Sequence, residues 1–277
     1  MMPWQRGDDA FSEFTYGFAL VNELVSNASP PILSVPVFPS LLAEGRAGGG
    51  YDVALNRPGR PLFLQFKLAR WMRGRRAREF QQGLFSQPFY RMDVRPRRSS
   101  QQHRLLLDLE QQRVGRVYYC APAFHTLAQL DTFYNAKRIA RYSRFVRPSQ
   151  LPIIRDNDDH WLSFQRARGG TTAFFSDEGT RIELDDRAIQ DQLRELIPEP
   201  NQPPMKETLR GLLGWFEEHM PHQEGFLIDE VDDDPERQED VRAITGIPRE
   251  ATPLERVTML SHTMLNSTFC VVQAPVR

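Results

Sequence analysis

The chain has few cysteines and no long apolar run, and each shortage excludes a class of protein. Only Cys120 and Cys270 occur among the 277 residues, so neither a disulfide framework nor a thiolate zinc site is expected. No apolar run approaches the roughly 20 residues that a membrane-spanning helix needs, and the N-terminus lacks the residue order of a signal peptide. We therefore predict a soluble, cytoplasmic protein that makes no membrane contact.

The common motifs of nucleotide-dependent enzymes are missing as well. The sequence contains no P-loop, no GxGxxG and no GxSxG, so ATP hydrolysis and hydride transfer have no support. Hydrophobic residues make up 40% of the chain and charged residues 26%, which is typical of a globular protein.

Charge is unevenly distributed along the chain. Residues 1–169 contain 25 Lys and Arg against 14 Asp and Glu, whereas residues 170–277 contain 10 against 22. The formal charges are therefore +11 for the first part and −12 for the second. This asymmetry favours a polyanionic partner for the first part, the alternative being that the two parts attract each other.

Lysine is the rarer basic residue, since it occurs only at Lys67, Lys137 and Lys206. Lys67 lies in the apolar, β-rich run LFLQFKLA (62–69), where alternation places Gln65 and Lys67 on one face. Unlike a guanidinium, an ammonium can lose its proton where its surroundings disfavour charge. Lys67 is therefore a candidate catalytic residue.

A second β-rich run, YDVAL (51–55), precedes the turn residues NRPGRP, so we predict a β-hairpin. If it closes around Pro58 and Gly59, Asp52 lies opposite Gln65 and next to Lys67. A carboxylate, a carboxamide oxygen and strand carbonyls are hard oxygen ligands of the kind that Mg²⁺ prefers. A nearby ammonium could orient an attacking water.

These residues resemble the D-x(n)-(D/E/Q)-x-K signature of the PD-(D/E)xK nuclease superfamily, the restriction-endonuclease-like fold, in its Gln-x-Lys, Mrr-like branch. The resemblance covers roughly residues 9–121. It implies Mg²⁺- or Mn²⁺-dependent phosphodiester cleavage, in which Asp52, Gln65 and the Phe66 carbonyl bind the metal and Lys67 positions the water. It departs from the usual pattern in two ways: no proline precedes Asp52, and Gln65 replaces the second carboxylate.

Members of this superfamily often carry an acidic residue on the first helix. Residues 9–26 are predicted to form that helix, with Phe11, Phe14, Phe18, Val21 and Val25 at steps of three and four. The resemblance makes Glu23 the candidate acidic residue, ahead of Glu13, which lies further from the end of the helix.

The remaining elements indicate an α/β fold. We predict helices over 103–112 and 125–143, a strand over 114–121 and a loop-like region from Trp71 to His103. Residues 1–198 are then a restriction-endonuclease-like domain with an αβββαβ core and a mixed sheet. Residues 199–277 are an acidic, mostly helical C-terminal extension with helices over 205–220 and 253–269.

Basic residues follow the motif and recur in the helix over 125–143, where Lys137, Arg141 and Arg144 are spaced to share one face. Arginine binds phosphate through paired hydrogen bonds. We predict that nucleic acid contacts Arg70, Arg73, Arg75, Arg76, Arg78, Arg97, Arg98, Lys137, Arg141 and Arg144.

The resemblance implies a DNA endonuclease, the effector of a bacterial antiphage or restriction system, with an ATPase or sensor subunit as its protein partner. One alternative is a catalytically inactive nuclease-fold subunit that binds nucleic acid or scaffolds a complex. A second alternative is an RNA nuclease.

Overall fold

The computed structural model describes residues 11–27, 59–94, 102–113, 115–154, 156, 158–176, 178–198, 201–219, 251–265 and 267–273. The chain divides into two compact units. The first unit comprises Met1–Ser29, Gln65–Leu107 and Val117–Glu195. The second comprises Pro30–Leu64, Asp108–Arg116 and Leu196–Arg277.

The described elements give a mixed α/β fold with a mixed sheet. The helices are α1 (Glu13–Asn27), α2 (Arg78–Gln81), α3 (Gln102–Gln111), α4 (Leu127–Asn135), α5 (Ile189–Arg194), α6 (Met205–His219) and α7 (Pro253–Leu265). The strands are β1 (Gly59–Phe66), β2 (Ala69–Met72), β3 (Phe89–Val94), β4 (Arg116–Pro122), β5 (Ser143–Val146), β6 (His160–Phe164), β7 (Thr172–Phe175), β8 (Gly179–Arg181) and β9 (Thr268–Gln273).

One sheet has four strands in the order β5-β4-β1-β9. β1 and β9 run antiparallel, with Gly59 opposite Gln273 and Leu64 opposite Thr268. The predicted hairpin placed Gly59 in its turn, but Gly59 belongs to β1, and the neighbours of β1 in this sheet are β4 and β9. Residues 51–55 themselves lie outside the described residues.

The other sheet has five strands in the order β2-β3-β6-β7-β8, all antiparallel to their neighbours. The expected loop from Trp71 to His103 is wrong, since this stretch contains β2, α2 and β3. The many arginines obscured the strands in the sequence, because one face of β3 is more polar than the other. Tyr90 and Met92 on one face are fully buried, whereas Asp93, on the other face, and Arg70, which pairs with Arg91 on that face, are exposed.

The carboxylate of Glu79, a residue of α2, is fully buried and connects this short helix to the sheet through hydrogen bonds. Its Oε1 accepts hydrogen bonds from Arg91 Nε at 2.8 Å, Trp161 Nε1 at 2.9 Å and Ser163 Oγ at 2.7 Å. Its Oε2 accepts a fourth from Arg91 Nη2 at 2.5 Å. We call Glu79, Arg91, Trp161 and Ser163 the Glu79 cluster.

The first helix forms as predicted, but only part of the predicted face is buried. Phe11 and Val21 are buried, whereas Phe14 and Phe18 are 57% and 51% exposed, and Tyr16 and Leu20 are buried in their place. The helix approaches the end of β1 closely, because a Cβ added at Gly17 would lie 2.6 Å from the Phe66 ring. A glycine is needed there for α1 to pack on β1.

The helix predicted over 125–143 is shorter. α4 begins after Thr126, whose side chain and that of Gln129 form a capping box, and it ends at Asn135. Lys137 has a φ of 52°, in the left-handed region, and residues 140–142 form a separate 3-10 turn. Apolar spacing continued past Asn135 in the sequence because Ile139 and Ala140, where the 3-10 turn begins, are also buried.

The last third contains the two predicted helices as α6 and α7, but α7 ends at Leu265. The residues that follow form β9, which pairs with β1 in the second unit. Among the described residues, no helix is long and apolar enough to cross a membrane.

Candidate functional site

Gln65 and Lys67 lie where β1 ends. The backbone N–H of Lys67 donates to the Cys120 carbonyl of β4 at 2.9 Å, which continues the pairing one residue beyond the strand. Alternation along this extended backbone places the two side chains on one face, as the sequence predicts. Both are buried: Gln65 is 0% exposed and Lys67 is 7% exposed.

The first turn of α3 lies against this face. Lys67 Nζ donates to Gln102 Oε1 over 3.5 Å, and Gln102 is itself buried. This long hydrogen bond is to a neutral amide oxygen, and it helps to orient the Lys67 ammonium.

His103, the next residue of α3, lies close to Tyr119 of β4. Its Nδ1 is 3.0 Å from the Tyr119 hydroxyl, and the two rings stack with their centroids 6.0 Å apart. Burial lowers the pKa of His103 to about 4 and raises that of Tyr119 above its usual value. At neutral pH the imidazole is therefore uncharged, and its Nδ1 shares one hydrogen bond with the Tyr119 hydroxyl, whose direction follows the tautomer of the ring.

His160 of β6 lies near His103, and a positive charge on His160 lowers the pKa of His103. His160 Nε2 is 2.7 Å from Asp156 Oδ1. A carboxylate accepts only, so the hydrogen of this bond is on Nε2. We call Gln65, Lys67, Gln102, His103, Tyr119 and His160 the Lys67 cluster.

Four buried polar atoms of the Lys67 cluster lack a hydrogen-bond partner among the residues that the structure describes. They are Gln65 Oε1, Gln65 Nε2, His103 Nε2 and His160 Nδ1. A buried polar atom left unpaired costs about 1–3 kcal/mol, and native proteins keep such atoms rare. Four in one cluster indicate a place built to receive a ligand, an ion or water.

The resemblance favours Glu23 over Glu13 as the acidic residue of α1 that belongs to the motif, but the structure places Glu13, and not Glu23, next to it. Glu23 is buried and accepts the backbone N–H groups of Ile139 and Ala140 at 2.5 and 3.2 Å. Burial raises the pKa of Glu23, although these hydrogen bonds act in the opposite direction. Its carboxylate thus fixes the turn before β5.

Glu13, at the other end of α1, is the acidic residue that lies next to the motif. Its Oε1 accepts the backbone N–H of Leu68 at 3.3 Å, one residue beyond Lys67. Distance along the helix favoured Glu23 in the sequence, but the direction in which α1 crosses the end of β1 places Glu13 there. The structure therefore brings Glu13 to the motif and gives Glu23 a structural role.

The predicted metal ligands are described only in part. Asp52 lies outside the described residues, so its distance from Gln65 is not given by the structure. Phe66 directs its ring to the opposite face, against Tyr16 and Gly17 of α1. Within the described ranges, no group of three or more His, Cys, Asp or Glu side chains could hold a metal ion.

The arginines that follow the motif fall into two groups. Arg73, Arg75 and Arg76 are exposed on the segment between β2 and α2. By contrast, Arg70 pairs with Asp93 at 2.7 Å, and the Arg78 guanidinium lies 5.9 Å from the Trp161 ring centre. Arg97 and Arg98 lie outside the described residues.

The predicted basic face of the helix over 125–143 is wrong. Lys137 and Arg141 are exposed but lie outside α4, and Arg144 lies in β5 and is 5% exposed. The Arg144 guanidinium donates to the backbone carbonyls of Gln165, Arg166 and Ala167. Arg144 therefore fastens the turn between β6 and β7 and is not available to a nucleic acid.

Sequence reasoning missed His103, Tyr119 and His160. The apolar pattern of residues 103–112 indicates the helix but assigns no role to its first residue. Comparisons with protein-family models, with curated proteins and with solved structures find no match for this chain.

Proposed function

We propose that the chain is a metal-dependent nuclease whose centre is the Lys67 cluster together with Asp52. The observation that carries the proposal is the pairing of a buried lysine with a buried glutamine whose amide oxygen has no partner among the described residues. An ammonium is costly to bury. Such a cost is typical of functional sites.

The residues fit a hard divalent cation. Gln65 Oε1 is an unpaired oxygen acceptor of the kind that Mg²⁺ takes, and Asp52 would supply the carboxylate and Phe66 the backbone carbonyl. When bound, Mg²⁺ or Mn²⁺ would lower the pKa of a water and offset the charge of the phosphodiester.

Within this proposal each described side chain has a task. Lys67 orients the attacking water and stabilises negative charge that develops on the phosphate oxygens. Gln102 accepts a hydrogen bond from the Lys67 ammonium and helps to orient it. His103, oriented by its hydrogen bond with Tyr119, donates from Nε2 to a phosphate oxygen when the Tyr119 hydroxyl donates to Nδ1.

The order of the described elements supports the resemblance to the restriction-endonuclease-like fold. An N-terminal helix precedes the motif strand, and a further helix and strand, α3 and β4, follow it. We propose DNA as the substrate and an antiphage or restriction system as the setting, with a partner ATPase or sensor subunit that selects the target. The acidic C-terminal sequence is the candidate contact for that partner.

A nuclease-fold subunit without activity is the second candidate. The observations that favour it are the complete burial of Gln65 and the absence of a group of three metal-binding side chains among the described residues. In that case the basic surface would bind nucleic acid and the Lys67 cluster would hold water.

One experiment separates the candidates. The purified chain is incubated with supercoiled plasmid, single-stranded DNA and RNA, each with Mg²⁺, with Mn²⁺ and with EDTA. We expect cleavage that needs the metal, and a loss of about 100-fold or more in Lys67→Met and Asp52→Asn. Lys206→Met is the matched control, because Lys206 is an exposed lysine of α6.

The outcomes discriminate cleanly. Binding without cleavage under every metal condition, alone and with the products of neighbouring genes, would contradict the nuclease and favour the inactive subunit. Cleavage of RNA alone would replace DNA as the substrate. Equal cleavage by wild type and Lys67→Met would remove Lys67 from the site.

A further inference from the structure

Aromatic side chains form a row across three strands of the five-stranded sheet. Trp71 of β2 is paired with Tyr90 of β3, which is paired with Phe164 of β6. Residues paired in this way lie on the same face of the sheet. Tyr90 and Phe164 are fully buried, whereas Trp71, on the edge strand β2, is partly exposed.

His125 extends this row at the edge of the sheet. Its ring is parallel to the Trp71 ring, with centroids 5.2 Å apart and an interplanar angle of 7°. Its Nδ1 lies 3.4 Å from the Tyr90 hydroxyl, and its backbone N–H donates to Gln129 Oε1 in the first turn of α4. Trp71 and His125 are both partly exposed, and these contacts position the two stacked rings at the edge of the sheet.

Positive charge surrounds the stack. The exposed side chain of Arg166 donates from Nε to the Ala123 carbonyl and from Nη2 to the Tyr90 hydroxyl, both at 2.9 Å. These bonds fix the guanidinium beside the stack before any ligand binds. Arg73, Arg75 and Arg76 follow Trp71 directly in the chain and are exposed.

We propose that this edge binds single-stranded nucleic acid, with a base stacked on Trp71 and His125 and phosphates bound by Arg73, Arg75, Arg76 and Arg166. The inference rests on the proposed nucleic-acid substrate and specifies its strand state. Stacking on a protein ring requires a base whose face is free, as in a single strand and not within a duplex. Arginines alone would bind either form through its phosphates.

The test measures binding by fluorescence anisotropy of the full chain in EDTA, so that cleavage plays no part. The probes are a single-stranded DNA of about 20 nucleotides, the matching RNA, the DNA duplex and an abasic strand of the same length. We expect tighter binding of the base-containing single strands than of the duplex or the abasic strand.

Trp71→Ala separates stacking from charge. It should lower the affinity for base-containing strands by about 5- to 150-fold, the range of base–aromatic stacking, and leave the abasic strand unaffected. Trp71→Phe should restore most of the loss, and His125→Ala should reproduce it in part. These variants, checked by thermal melts, keep the test decisive if Trp71→Ala does not fold.

Charge removal should act differently. The triple variant Arg73→Gln, Arg75→Gln, Arg76→Gln should weaken binding of both the base-containing and the abasic strands. It should also reduce the slope of log K against log salt by about 2. Arg181→Gln, on an exposed residue of β8, is the control and should change nothing.

Two results would overturn the proposal: equal affinity for duplex and single strand, or a Trp71→Ala loss that is the same for the abasic strand. A preference between the DNA and RNA probes identifies the sugar, and either preference supports a single-strand site. Single-strand binding without cleavage would uphold this inference and overturn the nuclease. Metal-dependent cleavage without base-dependent binding would do the reverse.

Discussion

The Glu79 cluster and the Lys67 cluster are both buried and polar, and both belong to the first unit. In the Glu79 cluster the two carboxylate oxygens accept four hydrogen bonds. In the Lys67 cluster four polar atoms have no partner among the described residues. Burial alone does not distinguish a structural group from a functional one; whether its hydrogen bonds are complete does.

The same contrast separates a buried charge from a buried amide. Burial raises the pKa of Glu79, but the hydrogen bonds from Arg91 and Ser163 outweigh it and hold the pKa below its ordinary value. The Gln65 amide is also fully buried, but neither of its polar atoms has a hydrogen-bond partner among the described residues. A group whose hydrogen bonds are complete has none left for a substrate, whereas the Gln65 amide has both atoms left.

The largest effect is expected from Glu79→Ala. Removing the carboxylate leaves the Arg91 charge and the donors of Trp161 and Ser163 unpaired inside the sheet. We expect the free energy of unfolding to fall by about 3–5 kcal/mol, measured by urea denaturation. A change below 1 kcal/mol would show that the Glu79 cluster does not stabilise the sheet.

The two clusters should also lose stability in different pH windows. The pKa of His103 is about 4 when folded, against 6.5 in the unfolded chain, so between these values the unfolded state binds more protons. Stability is therefore complete above pH 6.5 and falls as the pH drops towards 4, by about 3 kcal/mol in total. The loss from Glu79, whose folded pKa is lowered, begins only below its ordinary value of 4.5.

His103→Phe isolates the first window. Urea denaturation at a series of pH values should show that wild type weakens from pH 6.5 towards 4 more steeply than the variant does. Parallel curves for the two proteins would mean that His103 is not buried as a neutral imidazole.

Gln65→Leu should have the opposite sign to Glu79→Ala. It removes two buried atoms that lack described partners, so the free energy of unfolding should stay unchanged or rise by up to about 2 kcal/mol. Metal-dependent cleavage should nevertheless be lost. A destabilisation comparable to that of Glu79→Ala would show that Gln65 is a satisfied structural amide.

Asp93→Asn should have the smallest effect on the free energy of unfolding. It breaks the ion pair with Arg70, in which both side chains are about 60% exposed. Water screens such a pair, so urea denaturation should give a change of at most about 1 kcal/mol. A larger loss would mean that surface charge, and not completed buried bonding, governs the stability of this sheet.

Local patterns in the sequence predict many of the helices and strands. The pairing of strands that are far apart in the sequence is predicted least well. The spacing of apolar residues places α1, α3 and α6, and the β-branched and aromatic run places β4, because each pattern depends on neighbours in the sequence. The alternation that puts Gln65 and Lys67 on one face is equally local. The partner of β1 is β9, about 200 residues away, and no short-range pattern indicates it.

The site shows the same division. Glu13 lies by Leu68, and His103 by Tyr119 and near His160, only because tertiary packing brings together elements that are far apart in the sequence. The buried side of α1 illustrates the limit, since the phenylalanine spacing favours Phe14 and Phe18 but the helix buries Tyr16 and Leu20. When a helix has more than one apolar face, packing against the rest of the protein decides which face is buried, and periodicity does not.

The most direct test of the central claim is a Mg²⁺ titration of cleavage by wild type and Gln65→Glu. If Gln65 binds the metal, a carboxylate at this position should lower the Mg²⁺ concentration for half-maximal cleavage, while the Lys67→Met, Gln65→Glu double variant stays inactive. An unchanged Mg²⁺ requirement, with Gln65→Glu only destabilised by its buried charge, would contradict a metal centre at the end of β1.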